Sequence, residues 1–129
     1  GIIAANTHKP VVGDTTLEIL YPASAEEAYG NDLSMVARLS YGDFSVLFTG
    51  DVEEGGISSL LTAGQDIGAD ILKIPHHGSK YSYDEDFYEA VSPENVVKTA
   101  TAIPMKVSST IAKRKGSVVF ARIWTAPLP

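Results

Sequence analysis

Two short apolar runs, each ending in side chains of metal-ligating type, constrain this chain more than anything else in it. Phe44-Ser45-Val46-Leu47-Phe48 leads into Thr49-Gly50-Asp51, and Ile71-Leu72-Lys73-Ile74 leads into Pro75-His76-His77-Gly78-Ser79. Short apolar runs bounded by Gly and Pro read as buried strands. Between them, Glu53 and Glu54 suit the positive end of a helix dipole, and Ile57, Leu60 and Leu61 follow the i, i+3, i+4 spacing of a buried helical face. Gly55 and Gly56 weaken that helix and Gly64 ends it. Strand, helix, strand is a crossover unit of a layered α/β domain. It brings Asp51 and the histidine pair to one edge of a sheet. A carboxylate and imidazoles placed there suit a divalent cation such as zinc or manganese, which accepts both ligand types.

The flanking sequence extends the same architecture. Gly1 to Ala5 reads as a short strand, and His8 falls in a polar loop with no role assigned. Gly13-Asp14 is a turn, and Leu17 to Tyr21 alternates as a strand that Pro22 ends. Residues 23–30 are small and acidic, which predicts a surface loop or one helical turn. Asn31-Asp32-Leu33-Ser34 leads into a strand over 35–41, and Gly42-Asp43 makes a hairpin turn into Phe44. After the histidines, Ser82 is placed to cap a helix from Tyr83 to Val91, with Glu85 closing a capping box. Pro93 ends that helix, and Asn95-Val96-Val97 begins a further strand.

Composition bounds the rest. At 129 residues the chain is one domain at most, or part of one. It has no cysteine, so a disulfide framework and a Cys-based zinc site are excluded. No apolar run is long enough to span a bilayer. The net charge of -6 hides a break. Residues 1–97 carry all 16 acidic residues and four basic ones, Lys9, Arg38, Lys73 and Lys80. Residues 98–129 carry no acid and six basic residues, Lys98, Lys106, Lys113, Arg114, Lys115 and Arg122. Such a break marks a boundary or a basic arm, whereas the acidic body argues against DNA binding by bulk electrostatics.

Taken together, Asn31-Asp32-Leu33-Ser34, Gly42-Asp43-Phe44, Leu47 to Asp51, Leu72 to Ser82 and Ser92 to Val97 resemble the metallo-β-lactamase-fold domain of the bacterial ComEC-type DNA-internalisation competence proteins, over roughly residues 13–97. The resemblance implies an α/β, four-layer αββα sandwich with a two-metal site at one edge, holding zinc or manganese. It implies Asp51 as the bridging metal ligand, His76 as the ligand of the second metal, and His77 as a further ligand, neighbour or proton donor. Asp51 and His77 are the expected catalytic pair. Two such cations lower the pKa of a bridging water and offset charge on a phosphoryl group, so a phosphodiesterase or nuclease is expected, degrading the DNA strand that is not imported. Lys80 is a candidate phosphate contact. The implied partners are single-stranded DNA and the remainder of the same parent chain, with no membrane contact from this segment. The implied location is a soluble domain of an inner-membrane protein on its extracytoplasmic face. The readings kept beside it are another phosphodiesterase of this fold, such as a phosphorylcholine esterase, and a metal-free binding module.

Two features depart from the family. Its His-x-His-x-Asp-His motif does not occur, so residues 1–97 are expected to be the C-terminal half of the domain, with at most a partial metal site and little activity alone. After Val97 the family's next landmarks are missing. Shifting the reading frame restores them: Met105-Lys106 then forces a glutamate, and Trp124-Thr125 forces an aspartate. Residues 98–129 are therefore expected to be a frame-shifted basic tail without a selected fold, in which Val118-Val119-Phe120 pairs opportunistically. Resequencing tests this, because an in-frame reading past codon 97 removes the idea.

Overall fold

A computed structural model describes residues 7–23, 29–99 and 117–121. Seven strands form one mixed sheet in chain order. β1 (Thr7–Val12), β2 (Thr15–Tyr21), β3 (Val36–Tyr41) and β4 (Phe44–Phe48) are antiparallel neighbours. β5 (Ile71–Lys73), β6 (Asn95–Thr99) and β7 (Ser117–Ala121) continue the sheet in parallel from β4. Parallel neighbours need crossovers, and helices α1 (Glu54–Ala63) and α2 (Glu85–Val91) supply the first two.

Both helices lie on the same face. Ile57 and Leu60 of α1 and Phe87, Tyr88 and Val91 of α2 share one buried cluster with Leu20, Tyr21, Val36, Leu47 and Leu72. Strand alternation places Val36, Leu47 and Leu72 on that side, and the adjacent Leu20 and Tyr21 both join the cluster where the β2–β3 register shifts between Ile19 and Tyr21. The other side is apolar too. Its registered neighbours are Leu17 with Leu39, Leu39 with Val46, Val46 with Ile71, Ala37 with Phe48, and Tyr41 with Phe44. Tyr41, Phe44 and Phe48 are exposed there. At the edge of the helical side, Arg38 joins β3 to its surroundings through Glu18 at 2.7 Å, Asp66 at 3.1 Å and the Gly68 carbonyl at 3.1 Å.

Most expected elements form where the pattern puts them. The Gly42-Asp43 hairpin joins β3 to β4, and α1 ends at Gly64 with φ 66. Three details differ. His8 lies in β1, not in a loop, because residues 7–12 pair with β2. The cap of α2 is Asp84, whose carboxylate accepts from the Phe87 amide at 2.9 Å. Ser82 turns back instead, its hydroxyl within reach of the carbonyls of Pro75 at 3.2 Å and Ser79 at 3.0 Å. The expected strand at 1–5 lies outside the described residues. β6 runs across the 97/98 boundary, and residues 117–121, which include the apolar trio, pair with it in parallel register. The rest of the tail lies outside the described residues. No helix among the described residues is long and apolar enough to cross a membrane.

Candidate functional site

The site forms where the sheet changes from antiparallel to parallel. Chains leaving β4 and β5 emerge side by side, and such carboxyl ends form the usual ligand crevice of open α/β sheets. The two loops are tied to each other. Thr49 Oγ1 donates to the Lys73 carbonyl at 2.6 Å, Lys73 Nζ donates to the Gly50 carbonyl at 2.6 Å, and the His76 amide donates to the same carbonyl at 3.2 Å. Gly50 has φ 54, and a Cβ there would lie 2.9 Å from Ser34 Cβ. Only glycine meets both conditions without strain.

A third segment clamps the pair of loops. The Ser34 hydroxyl accepts from the Asp51 amide at 3.1 Å. Asp32 Oδ1 accepts from the amides of Glu53 and Gly56, both at 2.9 Å, so it caps α1 from outside the helix. A Cβ on Gly55 or Gly56 would collide with Asp32 or Val52. The two glycines that weaken the helix by propensity thus admit its cap. Asn31 Nδ2 donates to Glu53 Oε1 at 3.1 Å. Asn31, Asp32 and Ser34 therefore set the position of the aspartate loop, a role their spacing in the chain does not disclose.

Asp51 and His77 meet: His77 Nε2 is 3.4 Å from Asp51 Oδ1. Both side chains are half-exposed and reachable from solvent. Lys73 Nζ approaches the same Asp51 oxygen at 3.8 Å. Burial pushes the Lys73 ammonium below the ordinary lysine value, and Asp51 opposes that shift. His76 turns elsewhere, with Nδ1 2.7 Å from Glu53 Oε1. That contact is close but poorly directed, because Nδ1 is sealed from solvent and makes no hydrogen bond of good geometry. The two imidazoles sit edge to face, 6.2 Å between centroids. Their backbones are both left-handed, φ 41 for His76 and 53 for His77. Such a conformation costs about 1 to 3 kcal/mol per non-glycine residue and is concentrated at functional sites. Lys80 Nζ lies over the Tyr81 ring, 4.8 Å from its centroid.

A catalytic zinc centre takes at least three protein ligands. Asp51 and the histidines have the right donor chemistry. Among the described residues, however, no group of three or more His, Asp or Glu side chains gathers to hold a metal ion. They fall short of a complete metal centre.

ComE operon protein 3 of Bacillus subtilis (strain 168) is 33% identical over 89 residues, 69% of this chain and 12% of that protein. Competence protein ComA of Neisseria gonorrhoeae is 34% identical over 84 residues, 64% of this chain and 12% of that protein. The chain is related to competence proteins. An uncharacterized protein, YcaI of Escherichia coli (strain K12), is 29% identical over 82 residues, 63% of this chain and 11% of that protein. The chain thus spans about an eighth of the length of these three proteins. No family model matches it.

Proposed function

We propose that this chain carries part of the phosphodiester-cleaving centre of a DNA-uptake protein, acting on the strand that is not imported. The observation that carries the reading is the contact of Asp51 with His77 at the tips of adjoining strands, with the backbone strained under both histidines. Kinship to competence proteins supplies the setting. One helix-covered sheet with an apolar opposite face is the shape of half an αββα sandwich, which supports the metallo-β-lactamase reading of the fold.

In this reading a water adds to phosphorus as the sugar oxygen departs, and the His77 ring, oriented by Asp51, delivers a proton to that departing oxygen. General acid catalysis of that kind contributes about 10²- to 10⁴-fold. Asp51 and His76 are this chain's contribution to a divalent-cation site whose other ligands lie outside the described residues. The cations would supply the positive charge that an acidic body lacks toward a polyanion.

The test uses the full-length gene product with single-stranded DNA and manganese or zinc. Cleavage should occur, should vanish in Asp51→Ala, and should fall about 10²- to 10⁴-fold in His77→Ala. Intact cleavage in Asp51→Ala overturns the reading. Release of choline from its phosphate ester without DNA cleavage replaces it with another phosphodiesterase. Neither activity, with no bound metal, replaces it with a binding module.

A further inference from the structure

We propose that Tyr81 is a stacking platform for a nucleobase of single-stranded DNA, set beside the proposed reaction centre. The inference rests on the nucleic-acid reading above and deepens it by naming what grips the strand. Tyr81 follows His77 by four residues and is 60% exposed. A single exposed ring is ordinary on a protein surface, but this one is held in place. The Tyr81 amide donates to Ser79 Oγ at 3.3 Å, and the Ser82 amide donates to the Ser79 carbonyl at 3.2 Å. The buried Ser82 hydroxyl reaches back to the Pro75 carbonyl at 3.2 Å. Residues 75–82 are thereby closed into one loop, with the two histidines on one arm and Lys80 and Tyr81 on the other. At most about 14 Å of chain separates Tyr81 from His77.

Lys80 completes the pair. Its Nζ sits over one face of the Tyr81 ring, 4.8 Å from the centroid, which leaves the other face to a flat ligand. Arg38 is bound by Glu18 and Asp66, and Lys73 donates to the Gly50 carbonyl beside Asp51. Lys80 instead is exposed, with a ring beneath its charge. A ring that stacks a base, next to an ammonium that meets the adjoining phosphate, is how single strands are bound without sequence preference. Tyr83 is also exposed, but its ring packs on Tyr88, 5.7 Å between centroids. Beyond it, Glu85 and Asp86 are exposed in the first turn of α2 and repel phosphate. The backbone of a bound strand is therefore confined to the Lys80 side. Paired DNA would first have to unstack a base, at a cost the single strand avoids.

Two oligonucleotide probes of equal length separate stacking from charge: oligothymidylate, and the same deoxyribose phosphate chain without bases. Binding to the 129-residue chain is read by fluorescence anisotropy at low salt with divalent cations chelated, so that nothing is cleaved. Oligothymidylate should bind about 5- to 150-fold more tightly than the abasic chain. Tyr81→Ala should remove that preference, Tyr81→Trp should keep it, and binding of a hairpin duplex should be the same in all three proteins. With 5-iodouracil in the oligonucleotide, photo-crosslinking and peptide mass spectrometry should place the base on Tyr81. Equal affinity for the two probes, affinity for neither, a preference unchanged in Tyr81→Ala, duplex binding that falls as the single strand's does, or a crosslink that avoids Tyr81 overturns the proposal. Because no cleavage is read, a failed nuclease assay leaves this result standing, and a failure here leaves the cleavage reading to its own assay.

Discussion

Gly50 is the residue on which the two site loops turn. Its carbonyl takes hydrogen bonds from Lys73 Nζ and from the His76 amide, and a Cβ on it would meet Ser34. Gly50→Ala would introduce both a steric contact and a left-handed alanine. It should cost about 1 to 3 kcal/mol, read as a lower midpoint in urea unfolding. Substitution at Gly42, which has open space around it, should cost less. Tyr88 offers a pH test away from the site. Burial, with Tyr83 nearby, raises its phenol far above the ordinary 10.0. Below pH 10 the phenol is neutral in folded and unfolded chains alike, and its burial contributes in full. As pH climbs past 10 toward the raised folded value, only the unfolded chain ionises, and that stability is lost. Tyr88→Phe should therefore flatten the alkaline limb of a stability-versus-pH curve, while leaving the neutral region nearly unchanged.

At the level of elements, α1 depends on a cap that is not its neighbour. Asp32→Ala removes two bonds to amides at the start of the helix. The loss should be about 1 kcal/mol, visible as a drop in thermal midpoint, with Asp32→Asn recovering much of it. The same residues show what could and could not be read in advance. α1 was legible because its face repeats every three to four residues and Gly64 closes it. The β3–β4 hairpin was legible from Gly42-Asp43. The start of α2 was misread because Ser82-x-x-Glu85 has the capping pattern, yet Ser82 is already engaged by Pro75 and Ser79. Asp84, two residues on, had the chemistry to replace it. Asp51 and the histidines stood out because side chains of metal-ligating type follow the two apolar runs, and the structure brings Asp51 and His77 within 3.4 Å. Glu53 was read only as a dipole residue, and Asn31, Asp32 and Ser34 only as part of a motif. Their partners lie 17 or more residues away, and no local periodicity records such a bond.

For the whole molecule, the decisive asymmetry is between the two sides of the sheet. One is filled by α1 and α2. The other exposes Tyr41, Phe44 and Phe48 beside Leu17, Leu39 and Val46. Contiguous apolar surface of this kind promotes association. The 129-residue chain should therefore sediment as oligomers at micromolar concentration. Replacing Phe44 and Phe48 with lysine should shift it toward monomer without lowering helix content. A monomeric unaltered chain would show that this side is adequately solvated. The left-handed histidines carry one last consequence. A fold selected only for endurance would place glycine at both positions, so His76→Gly and His77→Gly should each tolerate more heat than the matching alanine variants. If they also outlast the unaltered chain, the imidazoles are held there at a cost in robustness.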